Sequence, residues 1–270
     1  MKNSTLVREL LQTRILAALF SETVRHELVL KGGMAMRAAL GSTRMTKDID
    51  LGQSPEIPLA RLQSVMREAI KKALSTNLLR DVVVSEPKQT DTVGRWKING
   101  QTDGGSHVQL TVEVSRRGLP PENHIKTVNY VPPGEYGVPP TLIDVYDLQA
   151  MAATKTQALL GDNRLAARDL FDLNLLIEMR VEPPVGLLAG LGPDYLETAL
   201  NELWSKIDLF TYEQFKAEIF PFVSDQVSSR LTEDVFEDMR LNVANNVEKW
   251  LTEARALSST AAPASPRMRQ

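Results

Sequence analysis

VLKGGMAMRAALGSTRMTKDIDLG, residues 29–52, runs from an apolar stretch through a glycine pair and a helical turn to two aspartates one residue apart. HELVLKG (26–32) reads as a short buried strand, and MAMRAALG (34–41) as a helix stopped by Gly41. RMTKDIDLG (44–52) reads as a second strand. Side chains alternate along a strand, so Asp48 and Asp50 share one face while Ile49 and Leu51 point to the core. Two carboxylates roughly 6–7 Å apart on one strand face repel unless a positive charge lies near. A lone D-x-D reads as a solvated strand edge beside Lys47 or Arg44. The alternative is a divalent cation, for which Mg²⁺ with oxygen ligands is the natural occupant. Gly32 and Gly33 read alone as a tight turn. Placed before a helix N-terminus, they also let the backbone approach a phosphate.

Beyond this segment the apolar pattern continues to alternate. Leu6, Leu10, Leu11, Ile15, Leu16 and Leu19 mark an opening helix, and LARLQSVMREAIKKAL (59–74) another. Strand signals follow at 81–87, 94–100, 107–115 and 127–131. VPPGEYGVPPT (131–141) has the proline and glycine content of a linker, and helical patterns occupy about 143–160, 164–179, 193–207, 211–220 and 227–257. These periods predict an α+β fold: an α/β domain with a mixed sheet over 1–140, then an α-helical domain over 141–257. SSTAAPASPRMRQ (258–270) lacks an apolar period and reads as a disordered tail.

Composition narrows the chemistry. The chain has 270 residues, 43% of them hydrophobic and 24% charged, which is the balance of a globular protein. With no cysteine, disulfides and thiolate zinc sites are excluded, and a cytoplasmic location is expected. The three histidines, His26, His107 and His124, have no ligand spacing. No apolar run reaches the roughly 20 residues of a membrane span, so no membrane partner is expected. A net charge of −3 means that nucleic-acid binding would need a local basic patch.

Two further elements carry charge in unusual places. In HVQLTVEVS (107–115), Val108, Leu110, Val112 and Val114 alternate with Gln109, Thr111, Glu113 and Ser115. Glu113 is therefore either part of an exposed sheet face or a third carboxylate for a two-metal site. Lys155 falls on the apolar stripe formed by Leu148, Met151, Ala152 and Leu159, where a lysine needs a partner. RLAARDLFDLNLL (164–176) offers Arg168, Asp169 and Asp172. A structural Lys155–Asp169 bridge is one reading, and a lysine reaching a triphosphate beside an orienting Asp169 is the other.

These blocks together, VLKGGMAMRAALGSTRMTKDIDL, the strand with Glu113, "ATK" at 153–155 and AARDLFDLNLL at 166–176, resemble the AbiEii/AbiGii nucleotidyltransferase toxins. That family, which includes MenT-like toxins, lies in the DNA polymerase β-like superfamily. The resemblance spans about residues 27–177 and implies a polymerase β-like nucleotidyltransferase domain followed by helices. It implies that Gly32 and Gly33 hold NTP phosphates and that Asp48 and Asp50 bind Mg²⁺ or Mn²⁺, with Glu113 as third acid. It further implies catalytic and nucleotide-binding roles for Lys155 and Asp169. Gly-Gly stands where many relatives have Gly-Ser, and Glu113 where aspartate is usual. Arg37, Arg44, Lys47, Arg116 and Arg117 are then candidates for phosphate contacts or solvated surface charge. Thr46 is a candidate regulatory phosphorylation site next to the acidic pair. The implied activity is transfer of NMP from an NTP to RNA, above all the tRNA 3′ end, by a toxin of a toxin–antitoxin or phage-defence pair. The implied partners are NTP, an RNA acceptor and a cognate antitoxin. Transfer to a small molecule or protein, and a non-catalytic nucleotide-binding module, are the alternatives.

Overall fold

Seven strands and ten α-helices were found among residues 3–21, 26–161 and 164–261, which the computed structural model describes. The strands are β1 (Val29–Lys31), β2 (Asp48–Gly52), β3 (Arg80–Gln89), β4 (Val93–Gln101), β5 (His107–Ser115), β6 (Ile125–Tyr130) and β7 (Thr141–Tyr146). The helices are α1 (Asn3–Leu19), α2 (Gly32–Leu40), α3 (Leu59–Leu74), α4 (Leu148–Leu160), α5 (Ala167–Glu178) and α6 (Val185–Ala189). They continue with α7 (Pro193–Asp208), α8 (Tyr212–Ile219), α9 (Asp225–Ser228) and α10 (Glu233–Ala261). No helix among the described residues is long and apolar enough to cross a membrane.

Two compact units divide the chain. The first takes in Met1–Asp147 and Ile219–Ser229, and the second Leu148–Glu218 and Arg230–Gln270. In the first, all seven strands form one mixed sheet in the order β3-β4-β5-β2-β1-β7-β6. β2 runs parallel to β5 and β1 parallel to β7, while the remaining neighbours are antiparallel. Alternation decides which face is buried. Ile49, Leu51, Ile98, Trp96, Leu110, Val112 and Val114 are fully buried. The residues between them on the same strands stay open to varying degrees. α1 packs on β5 and α3, covering the apolar face. Gln12 of α1 is itself buried, and its amide donates to the carbonyls of Thr46 (3.2 Å) and Asp48 (3.3 Å), tying the helix to the start of β2.

The second unit is helical. α10 packs against α5, α6 and α7, and α4 against α5. Its centre is aromatic: the rings of Phe215 and Phe236 lie 5.1 Å apart, with Tyr212 5.9 Å from Phe236.

The helix expected over 143–160 starts only at Leu148, because Thr141–Tyr146 forms β7. Ile143 and Val145 are β-branched and fully buried, and pairing of Val145 with Leu30 places β7 next to β1. VPPGEYGVPPT is likewise no linker between units. Its Tyr136 is buried and donates to Glu9 of α1 at 2.8 Å, and the chain then continues into the same sheet as β7. The expected 227–257 helix is two pieces, α9 and α10. Of the stretch read as a disordered tail, 258–261 continues α10 and the rest lies outside the described residues.

Candidate active site

Strand register, more than sequence proximity, assembles the acidic site. Asp48 and Asp50 lie half-buried on the polar face of β2 while Ile49 and Leu51 are fully buried behind them. On one side Asp50 stands opposite Lys31 of β1, and on the other opposite Glu113 of β5, which in turn faces Arg95 of β4. The result is a row of four charges across the sheet, Lys31, Asp50, Glu113 and Arg95, with cations at both ends. Glu113 is held by Arg95, whose Nε lies 2.8 Å from Oε2.

These neighbours act on the lysine. Partial burial pulls the Lys31 amine below its ordinary pKa, while Asp50 and Glu113 hold it up and Arg117 adds to the lowering. Arg8 of α1 shows the same balance, lowered by burial and raised by Asp48. The acidic pair therefore has protein cations on its flanks. The sequence reading had not included Lys31, the last residue of β1. A lysine before two glycines reads only as the charge that ends a strand, and the antiparallel β1–β2 pairing is what brings it opposite Asp50.

Each glycine has a separate reason. Gly32 has φ +68°, in the left-handed region, and a Cβ there would run into Asp50 Oδ2. Gly33 could accept a Cβ only 3.0 Å from the Arg44 guanidinium and 3.1 Å from Thr46 Oγ1. Both open α2, whose first-turn N–H groups have no carbonyl one turn back. A bare backbone thus begins a helix directly against the acidic pair, an arrangement suited to an anion beside a cation site. Gly32→Ala is expected to lower transfer at least tenfold and to destabilise the chain by about 1–3 kcal/mol. Gly41→Ala is the control: Gly41 also has positive φ (62°), but a Cβ there meets nothing. It should cost about 1 kcal/mol and leave activity intact. Equal activity losses in the two variants, measured beside their urea unfolding midpoints, would show that the contact with Asp50 is unimportant.

Thr46 is buried, and its hydroxyl accepts a 3.4 Å hydrogen bond from the Asp48 backbone N–H. The candidate phosphate-binding arginines divide by burial. Arg116 is buried and donates to Gln53 Oε1 and to the carbonyls of Asp91, Pro55 and Ile57. Arg37 donates to Glu9 and the Ser42 carbonyl. Arg44, also buried, donates to the Met45 carbonyl. These guanidiniums are engaged by the protein's own oxygens, and the burial of Arg44 and Arg116 corrects their reading as solvated surface charge. Lys47 sits 5.1 Å from the centre of the Phe222 ring, and Arg117 is exposed.

Lys155, Asp169 and Asp172 form a second cluster, within the helical unit. The Lys155 ammonium lies 2.9 Å from Asp169 Oδ1 and 2.6 Å from Asp172 Oδ2. Arg164 closes the group from Asp169 Oδ2 at 2.6 Å. Both aspartates are fully buried and the lysine nearly so. The anticipated Lys155–Asp169 bridge is present, extended by Asp172.

Among the described residues no group of three or more histidine or acidic side chains converges to hold a metal ion. The donor set that is present, two carboxylates on one strand face, fits an ion completed by substrate phosphates and water, as Mg²⁺ sites commonly are.

The model of the AbiEii family, a nucleotidyl transferase toxin of a type IV toxin–antitoxin system, matches residues 14–252. No curated protein matches the chain. Among solved structures, JHP933 from Helicobacter pylori superposes with a TM-score of 0.57 at 17% identity, covering 96% of this chain and 97% of that one. MenT4, a nucleotidyltransferase toxin from Mycobacterium tuberculosis, superposes with a TM-score of 0.51 at 17% identity, covering 94% and 95%. At such identities the likeness is one of fold.

Proposed function

We propose, from the premise that this chain belongs to the AbiEii family of nucleotidyl transferase toxins, that it transfers NMP from an NTP to RNA, with the tRNA 3′ end as acceptor. The family implies an enzyme that takes an NTP and works with a divalent metal, and an antitoxin as genetic partner. The observation that supports the reading best is the meeting of Gly32 with Asp50: a side-chain-free helix start lies against paired carboxylates.

Asp48 and Asp50 would hold Mg²⁺ or Mn²⁺, and Glu113, whose Oε2 is held by Arg95, would join them through Oε1. The ion, when bound, supplies Lewis-acid polarisation at the α-phosphate and a more acidic acceptor hydroxyl. The rest belongs to this chain's residues. The first-turn N–H groups of α2 orient the phosphates. Lys31, beside Asp50, adds positive charge where pyrophosphate develops negative charge. The acceptor oxygen forms a bond to the α-phosphorus as the bond to the bridging oxygen breaks. Pyrophosphate leaves with that electron pair, and the hydroxyl proton passes to solvent. We assign Lys155 and Asp169 to the nucleotide on the match of their sequence blocks. Phosphate on Thr46 would silence the site by placing about two negative charges beside Asp48, once the buried hydroxyl is exposed. An outcome of blocked translation in the cytoplasm, within toxin–antitoxin or phage-defence biology, follows from the acceptor.

Incubation with each α-labelled NTP, Mg²⁺ and total RNA tests the reading, with Asp48→Ala beside it. Label should enter tRNA with the wild-type protein alone. Label in protein or in a small molecule would move the acceptor away from RNA. No label with any NTP would leave a nucleotide-binding module.

A further inference from the structure

The polar face of the sheet does not end at the acidic pair. Two rows run from it toward β3, the edge strand. In one, Asp50 faces Glu113, then Arg95, then Lys88; in the other, Asp48 faces Thr111, then Lys97, then Ser85. A third row adds Asn99 and Gln109. The opposite face of β2, β4 and β5 is the buried core, so alternation turns the side chains of their rows onto one open surface, and pairing with Arg95 and Lys97 puts Lys88 and Ser85 of the exposed edge strand β3 on the same side.

Beyond the acidic pair itself, charge on that surface is one-sided. Glu113 is already neutralised by Arg95, while neither Lys88 nor Lys97 makes an ion pair among the described residues. In a chain of net charge −3 this is a local excess of cations, and it leads directly to the acidic pair. At about 4.8 Å per strand, Lys97 lies roughly 10 Å from Asp48 and Lys88 roughly 14 Å from Asp50. Lysines positioned this way meet a polyanion's backbone, and the neighbouring amides Asn99 and Gln109 add polar contacts without charge.

We infer that the polar face of β3–β4–β5 is the track on which the acceptor RNA lies, with Lys88 and Lys97 contacting successive phosphates upstream of the reacting 3′ end. The inference rests on the proposed transfer to RNA and extends it to a surface. Lys88 and Lys97 hold the strand and take no part in the chemistry.

Fluorescence anisotropy of a labelled tRNA transcript tests this on the full chain. The comparison is wild type, Lys88→Ser/Lys97→Ser, and Lys126→Ser/Lys71→Ser, on exposed positions of β6 and α3, as a charge-matched control. Each lost phosphate contact should reduce the slope of log K against log salt by about 0.7–0.9, and two contacts should weaken binding roughly 25- to 60-fold near 0.1 M salt. KM for tRNA should rise in step, with kcat and the KM for NTP unchanged and Lys126→Ser/Lys71→Ser matching wild type. Wild-type labelling of tRNA with an unaltered salt slope in the double variant would overturn the track and leave the transfer reaction standing. A wild type that labels no RNA would overturn both.

Discussion

Lys155→Met should destabilise the helical unit by about 3–5 kcal/mol, because it strips two buried carboxylates of their shared cation. Asp169 and Asp172 are fully buried, at 1% and 0% side-chain exposure, and their attraction to Lys155 offsets the cost of keeping them from water. Arg164 remains for Asp169. Urea unfolding of Lys155→Met should therefore show a lower midpoint at unchanged slope. The triple variant Lys155→Met/Asp169→Asn/Asp172→Asn removes all three charges and should recover most of the loss. That pair of variants also separates two roles for the lysine. If transfer stays abolished in a triple variant that folds stably, the cluster serves the nucleotide; if transfer returns, it serves the fold. A single variant as stable as wild type would show that the ion pairs contribute nothing net.

Asp50→Ala carries the larger effect on activity, a fall in kcat of at least about a thousandfold. A ligand to a catalytic ion is worth several kcal/mol of transition-state stabilisation, and each 1.36 kcal/mol is tenfold in rate. Stability should change by less than about 1 kcal/mol, since the carboxylate sits half-buried beside both Lys31 and the like-charged Glu113. Glu113→Gln, by comparison, removes the partner of Arg95 and should cost less than a hundredfold. Steady-state rates at saturating NTP and Mg²⁺ decide the order. Equal losses at the two positions would make Glu113 a full ligand, and an Asp50→Ala protein with near wild-type kcat would remove the acidic pair from the chemistry.

Local chemistry made part of this legible in advance. The D-x-D alternation placed both aspartates on one face, and β2 shows it, because Ile49 and Leu51 have nowhere else to go than the core. Lys155 on an apolar stripe demanded a carboxylate partner, and Asp169 is there. The failures share a cause as well. LIDVYDLQAM satisfies a helical and an alternating pattern together, and pairing with β1 decided for strand over its first half. Arg116 looked like surface charge because nothing local shows that three distant carbonyls and Gln53 surround it.

What the amino-acid sequence determines alone is periodicity and chemistry: which residues share a face, where helices start, and that one block carries both a glycine pair and an acidic pair. Hydrophobic alternation and backbone sterics act over a few residues, so they can be read without knowing the fold. Which charges face each other is a matter of register between strands far apart in the chain. Lys31, Asp50, Glu113 and Arg95 become neighbours only when β1, β2, β5 and β4 pair. The same pairing turns Gly32 from a permissive turn residue into the one position whose bareness makes room for the Asp50 carboxylate.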